Sequence, residues 1–549
     1  MSNVRLLAAL VALVVGAVGC TKVGTSGQTA RGNPWTQPGR LVFATAADPK
    51  NLDPVLASAE PTLDISFFLF SWAVRYDQNP KPHPDALREI PTVANGDVSK
   101  DGLTLIYKLR PHMMWHDGYP VTCRDLRFTW QVVMNPHNNV VTTDGYDDIR
   151  SIDCPSPLIT VIHMKKIYAP FLQQLWGQNG NAPILPEHLL AKYNDDKGSF
   201  NTAPYQSAPI ASGPFRFVSW ERGQDVRLAA FDDFYLGKPK LREVIYKIMP
   251  DENTLLAQMQ THEVDLVFDV RSHNYPDYRS IPGVTVVAPP VFSYSHLDFN
   301  LRHRPFDDVQ VRRALAYALD RKAMLQDVND GFGDLAPADE SPLISEAYDP
   351  NVATYPFDPA KADAILDADG WRVGSDGVRV KDGRRLSFTI STLTESTGGQ
   401  QTETIVQRAW RQVGAEVTVK NAPTSLFFDN TAQGILQGGK YDVALFAWFA
   451  SVDPDDSEIY SSKNFAPHGQ NALFWDDPRA TAAMDDALET VNWDRRKKDY
   501  YIVQEELASQ VPTIVLWFDH EVVAYNSDLH GFTPSPVIAL FWDPWEYSI

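Results

Sequence analysis

The chain has 549 residues, 44% of them hydrophobic, with 49 Lys and Arg against 69 Asp and Glu and a formal net charge of −20. That length supplies at least two domains, and the apolar fraction is that of an ordinary globular protein. The acidic balance excludes a role carried by a basic nucleic-acid-binding surface and favours solubility.

The first five residues carry one positive charge, 6–18 form a small and apolar run, and Ala17-Val18-Gly19-Cys20 follows. A charged start, a short apolar stretch and a small-residue exit make residues 1–19 a signal peptide. The run is shorter than the roughly 20 residues a spanning helix needs. Cys20 directly after Gly19 resembles a bacterial lipobox, so Cys20 is expected to be lipidated and to become the new N-terminus. Residues 20–39, rich in Gly, Ser, Thr and Asn, are then a flexible tether. With Cys20 set aside, Cys123 and Cys154 remain. An even pair in an oxidising compartment predicts a disulfide between them.

From residue 40 to about 294 the pattern is mostly strand-like. Strands are predicted at 41–46, at 103–110 with Leu105, Tyr107 and Leu109 on one face, and at 215–220, 226–231 and 244–249. Helices are predicted at 123–134 and at 253–261, the latter started by Asp251 or Asn253 and followed by a strand at 264–270. Beyond 295 the texture changes. Asp307 or Asp308 caps a helix carrying Val311, Ala314, Leu315, Ala318 and Leu319 at helical spacing. Asp358-Pro359 opens another, ended at Gly370. A strand at 386–392, a helix at 400–413, a strand at 416–419, a helix at 426–436 and a strand at 441–448 read as β-α-β-α-β with a largely parallel sheet. Helices at 478–491 and 493–510 and a buried strand at 513–518 follow, and the tail from 522 is strand-like and aromatic again. The chain is therefore expected to enter a second lobe near 295 and return near 520, and two such connections make a hinge.

Several stretches carry a resemblance. They are Asn51-Leu52-Asp53-Pro54 after the first strand, Leu109-Arg110-Pro111-His112-Met113-Met114-Trp115-His116-Asp117-Gly118-Tyr119-Pro120-Val121-Thr122, Ser212-Gly213-Pro214-Phe215, and the Asp232–Gly237 turn. Asn300-Leu301, Pro305-Phe306-Asp307 and the helix from Val311 to Asp320-Arg321 continue the series, as does 355–370. In this order they resemble the family 5 extracellular solute-binding proteins, which include the dipeptide-, oligopeptide- and nickel-binding proteins of ABC importers. One departure is His262 before Glu263, where Gly is usual; if that turn needs positive φ, His262 is strained. The resemblance implies an α/β, two-lobed periplasmic-binding-protein fold, class II-like, with an extra subdomain inserted in lobe I. Lobe I would span 40–294 with the insertion at roughly 70–205, lobe II 295–520, and 521–549 would return to lobe I. The implied function is capture of a peptide-like solute between the lobes and delivery to an ABC permease, without catalysis or cofactor. The protein would be an exported, periplasmic or cell-surface monomer held to the membrane by its lipid. An oligosaccharide or a nickel complex is the alternative ligand. A secreted hydrolase using paired carboxylates is the alternative of another class.

In peptide-binding members of the family an Asp three residues after a Trp pairs with the ligand's α-amino group. Here the stretch is Trp448-Phe449-Ala450-Ser451-Val452-Asp453, and the matching position is Ser451. A buried ammonium needs an anion. Either Asp453 takes over or the ligand has no free amine there. Ser58, Ala59 and Glu60 match first-lobe positions lining the family's cleft, and Glu60 is either a replacement anion or a solvated loop carboxylate. Tyr294 and His296 flank the first crossing. Trp448 and Phe449 offer aromatic walls, against plain core packing for Trp448. No metal site is expected: Asp453-Pro454-Asp455-Asp456 lacks the Gly and distal Glu of a calcium loop, and His112 and His116 lack a third ligand nearby. Nucleophile-elbow, P-loop and dinucleotide motifs are absent from the sequence.

Overall fold

Near-continuous apolar runs make the central strands of two sheets, because a strand covered on both faces has no polar side. The computed structural model describes residues 32–549 except 46, 47, 58, 179, 181, 336, 430, 538 and 539. The expected signal peptide, Cys20 and Ser58 lie outside the described residues. Arg40–Thr45, buried from Leu41 to Ala44, runs parallel between Glu243–Ile248 and Leu266–Val270. Around it a seven-stranded sheet takes the order Val284–Val287, Val522–Asn526, Leu266–Val270, Arg40–Thr45, Glu243–Ile248, Asp225–Ala230, Phe215–Glu221. The second sheet has six strands: Gly333–Asp334, Thr513–His520, Pro290–Phe299, Val443–Phe449, Ser387–Ser391, Glu416–Val419. Its last three are parallel, and Pro290–Phe299 pairs antiparallel with both neighbours.

The chain passes between the sheets at Ala288-Pro289 and at Glu521, and the Glu521 N–H donates to the Pro289 carbonyl at 2.9 Å. Pro289-Pro290 removes two backbone donors in a row, so pairing with the first sheet stops there. The first passage thus precedes the expected position near 295. Tyr294 and His296 sit inside a second-lobe strand rather than beside the crossing.

Between the first strand and Phe215–Glu221, a three-stranded sheet of Thr104–Lys108, Ile159–Met164 and Ile149–Ser156 packs with the helix Cys123–Val133. That helix starts on a capping box of Thr122 and Asp125, and Cys123 is disulfide-bonded to Cys154 with Cα atoms 5.7 Å apart. Trp72, Tyr107, Trp115 and Trp176 join this region to Phe43 and Phe68 in one core, against which Leu343, Ile344, Ala450 and Val452 of the second lobe also pack. A separate core under the second sheet gathers Leu297, Phe299, Phe388 and Trp410. Its helices begin on side-chain caps, Asp308 before Val309–Tyr317, Asp358 before Pro359–Ala368 and Ser396 before Thr397–Gln412.

The helix expected at 426–436 does not form beyond Thr424–Phe427. Asp429 Oδ1 accepts from both the N–H and the hydroxyl of Thr431, a local bond that competes with helix, and Gly434 inside the span lowers its propensity further. His262 takes φ 61°, so the turn does require the left-handed region and a non-glycine residue occupies it.

Candidate functional site

The strand Val443–Phe449 ends by delivering a loop, Ala450 to Asp456, to the boundary between the lobes. There the second lobe faces the inserted region across a cavity of about 680 Å³. Tyr168, Gln173 and Asp144 line it from the insertion; Tyr294, Asp339, Glu340 and the 448–459 segment line it from the second lobe. Ser451 Oγ donates to Gln173 Oε1 at 2.8 Å, joining the two sides directly.

Both oxygens of Asp453 are engaged by Arg496, Nη1 to Oδ2 at 2.7 Å and Nη2 to Oδ1 at 2.5 Å. Arg496 is buried and also donates to the Tyr500 hydroxyl and the Ala487 carbonyl. Asp453 lines the cavity, but as the partner of a protein cation. Asp455, Asp456, Asp339 and Glu340 lie beside it. Burial, with the neighbouring Asp453, pushes the Asp455 carboxyl up to about 6. Burial and the neighbouring Asp339 carboxyl push Asp456 well up. Burial and Asp339 do the same to Glu340. Ten lining side chains are carboxylates and only Lys166 and Lys463 are basic.

The predicted residues divide. Tyr294, Trp448, Phe449, Ser451 and Asp453 all line the cavity. Tyr294 is buried with its hydroxyl 3.3 Å from that of Tyr460, Trp448 is half-buried, and Phe449 is 67% exposed at the rim. His296 does not reach the wall. It lies on the same strand face as Tyr294 but one pair deeper, packed between Tyr294 and Phe446 with Nδ1 2.8 Å from Asp298 Oδ1. Ala59 and Glu60 are exposed at the start of the helix Glu60–Leu69 and are not part of the wall. Asp144, Tyr168, Gln173, Asp339, Glu340 and Arg496 were missed. They come from loops and helices far apart in sequence, and no local periodicity or motif marks them.

A polar, aromatic-flanked cavity between two lobes joined by two adjacent strands defines a solute-binding protein. The model of the bacterial extracellular solute-binding proteins, family 5, middle region, matches residues 81–469, and the chain belongs to that family. It is 25% identical over 539 residues to the oligopeptide-binding protein AppA of Bacillus subtilis, covering 97% of this chain and 96% of that one. It is 27% identical over 477 residues to a putative ABC transporter peptide-binding protein of Brucella ovis, covering 85% and 86%. Among solved structures, NikZ of Campylobacter jejuni in complex with Ni(L-His) superposes with a TM-score of 0.76 at 26% identity, covering 94% of this chain and all of that one. AppA of B. subtilis in complex with a nonapeptide gives 0.75 at 24%, covering 93% and 99%. The two-lobed α/β fold and the solute-binding role follow.

Proposed function

We propose that the protein captures a peptide-like solute in the interlobe cavity and delivers it to an ABC permease, held at the membrane by a lipid on Cys20. The observation that carries this is the cavity itself, walled by both lobes and bridged by Ser451 and Gln173. Its volume lies within the roughly 300–1,000 Å³ of small-ligand sites. Closure about the Pro289 and Glu521 passages stores the ligand's preference for the closed state, and the permease reads that state. The names of the AppA and Brucella relatives support a peptide, and the NikZ complex keeps a small metal complex as the competing ligand. The role is binding without turnover.

The test uses the chain from Thr21 onward, thermal shift and calorimetry, and di- to pentapeptides, free amino acids, oligosaccharides and nickel. Ligand at 100 times its dissociation constant adds about 2.7 kcal/mol, a shift easily seen. Stabilisation by peptides, recovered intact by mass spectrometry, is expected. Stabilisation by sugar or nickel alone would overturn the peptide reading, and conversion of the ligand would overturn binding without turnover. Cys20→Ala should move the protein from the membrane fraction to the soluble one; unchanged membrane retention would remove the lipid anchor.

A further inference from the structure

The carboxylates of the cavity can be sorted by partner. Asp453 is neutralised by Arg496, Asp485 by Lys463 at 2.6 Å and Asp148 by Lys166 at 3.3 Å. Asp144 accepts from the Tyr168 hydroxyl at 2.6 Å. Glu458 and Glu489 are exposed to solvent. Four remain, Asp339, Glu340, Asp455 and Asp456, and none has a Lys, Arg or His within ion-pair distance among the described residues. Asp339 and Glu340 are only 6% and 7% exposed, so this is not a solvated acidic face. Asp339 Oδ1 and Asp456 Oδ1 are buried and accept no hydrogen bond from any described donor. A proton held between the two carboxyls, or a cationic donor entering from the cavity, would satisfy both atoms.

Burying one uncompensated carboxylate costs several kcal/mol. Buried Asp339 and Glu340, with half-buried Asp455 and Asp456 beside them, must therefore keep protons or meet a cation, and the cavity opens onto all four. We propose that Asp339, Glu340, Asp455 and Asp456 form the receptor for a cationic group of the ligand, an alkylammonium or guanidinium, so that the protein selects basic peptides. The inference rests on the peptide reading above and specifies its ligand. A bare metal ion does not fit: no group of three or more His, Cys, Asp or Glu side chains among the described residues is arranged to hold one. An organic cation on a flexible stem fits better, because Tyr168, Tyr294 and Trp448 line the same cavity. They offer apolar surface to the stem and ring faces to the charge. Ser451 is itself bonded to Gln173, so the floor supplies the negative charge that this position lacks. The charged or titratable groups around the floor are Asp453 and Arg496 from the loop and the long helix, His296 behind Asp339, and the hydroxyls of Tyr168, Tyr294, Tyr460 and Tyr500.

Calorimetry with the tripeptides Ala-Lys-Ala, Ala-Arg-Ala, Ala-norleucine-Ala and Ala-Glu-Ala tests this near neutral pH. The Lys and Arg peptides are expected to bind about tenfold or more tighter than the norleucine peptide, with net release of protons when buffers of different ionisation enthalpy are compared. Glu340→Gln, and separately Asp339→Asn with Asp456→Asn, should erase that preference, bringing the Lys and Arg peptides to the affinity each variant shows for the norleucine peptide; these neutral amides should keep or raise the melting temperature. Equal affinity for norleucine and Lys peptides, or an undiminished preference in both variants, would overturn the proposal while leaving peptide capture intact. Binding of spermidine with no peptide bound would sink the peptide reading and keep the cationic floor. Saturable stabilisation by nickel chloride alone would overturn the organic cation.

Discussion

Arg496 and Asp453 face each other at 2.5 and 2.7 Å, almost out of water, 43 residues apart in sequence. Removing one member of such a pair strands the other charge. Arg496→Met is therefore expected to cost about 3–5 kcal/mol in chemical denaturation, whereas Arg496→Met combined with Asp453→Leu should recover most of it. If the double variant is as unstable as the single one, the pair is not what holds the loop. The loop was visible in the sequence and so was its departure at Ser451, because both lie in one contiguous stretch. Arg496 was not, since its helix advertises only a solvated charged face and nothing local says which residue turns inward. Ser451→Asp is a second experiment at this scale. It places an anion opposite Gln173, at the position where the family resemblance puts the amine anchor. Peptides with a free N-terminus should then gain about tenfold over their N-acetylated forms relative to the parent protein. An unchanged ratio, measured by calorimetry, would mean that the ligand's amine lies elsewhere.

Helices and strands with local bonding signals were legible. Asp251, Asp308 and Asp358 each accept from a backbone N–H in the first turn of the helix they were expected to start. The alternation of Leu105, Tyr107 and Leu109 did mark a buried face. What failed was decided by competition or by long-range pairing. Asp429 and Gly434 overrule the apolar spacing of 426–436, and the register of Pro290–Phe299 with two distant strands moves the first passage ahead of Tyr294. The disulfide belongs to this scale as well, because it ties the start of Cys123–Val133 to the strand Ile149–Ser156. With a sequence separation of 31, the chain-entropy model assigns it about 3–4 kcal/mol. Replacing both cysteines with serine should lower the unfolding free energy by that amount. A loss below about 1 kcal/mol would show that packing alone holds the helix to its sheet.

At the scale of the molecule, protonation couples the folded state to its ligand. Burial pushes Asp455 and Asp519 up to about 6 and Asp53 and Asp543 up to about 7. Each binds its proton more tightly folded than unfolded. Their stabilisation is complete below the ordinary carboxylate range near pH 4 and is lost as pH rises through the folded values. His116 opposes them: burial pushes it down to about 4, so it costs stability as pH falls below about 6.5. Four carboxyls outweigh one imidazole, and the ligand-free protein should melt at a higher temperature near about pH 5.5 than near about pH 7.5. Asp455→Asn should flatten part of that slope. A basic ligand reverses the balance, because its cation takes the place of the protons on the cavity floor. The extra stabilisation it confers should therefore grow as pH rises over the same interval, while that of a neutral peptide stays nearly constant. Thermal shifts at both pH values with Ala-Lys-Ala and Ala-norleucine-Ala separate the two. Parallel behaviour of the two peptides would mean that the ligand's charge never meets Asp339, Glu340, Asp455 and Asp456, whereas a widening gap ties closure of the lobes to ionisation of that floor.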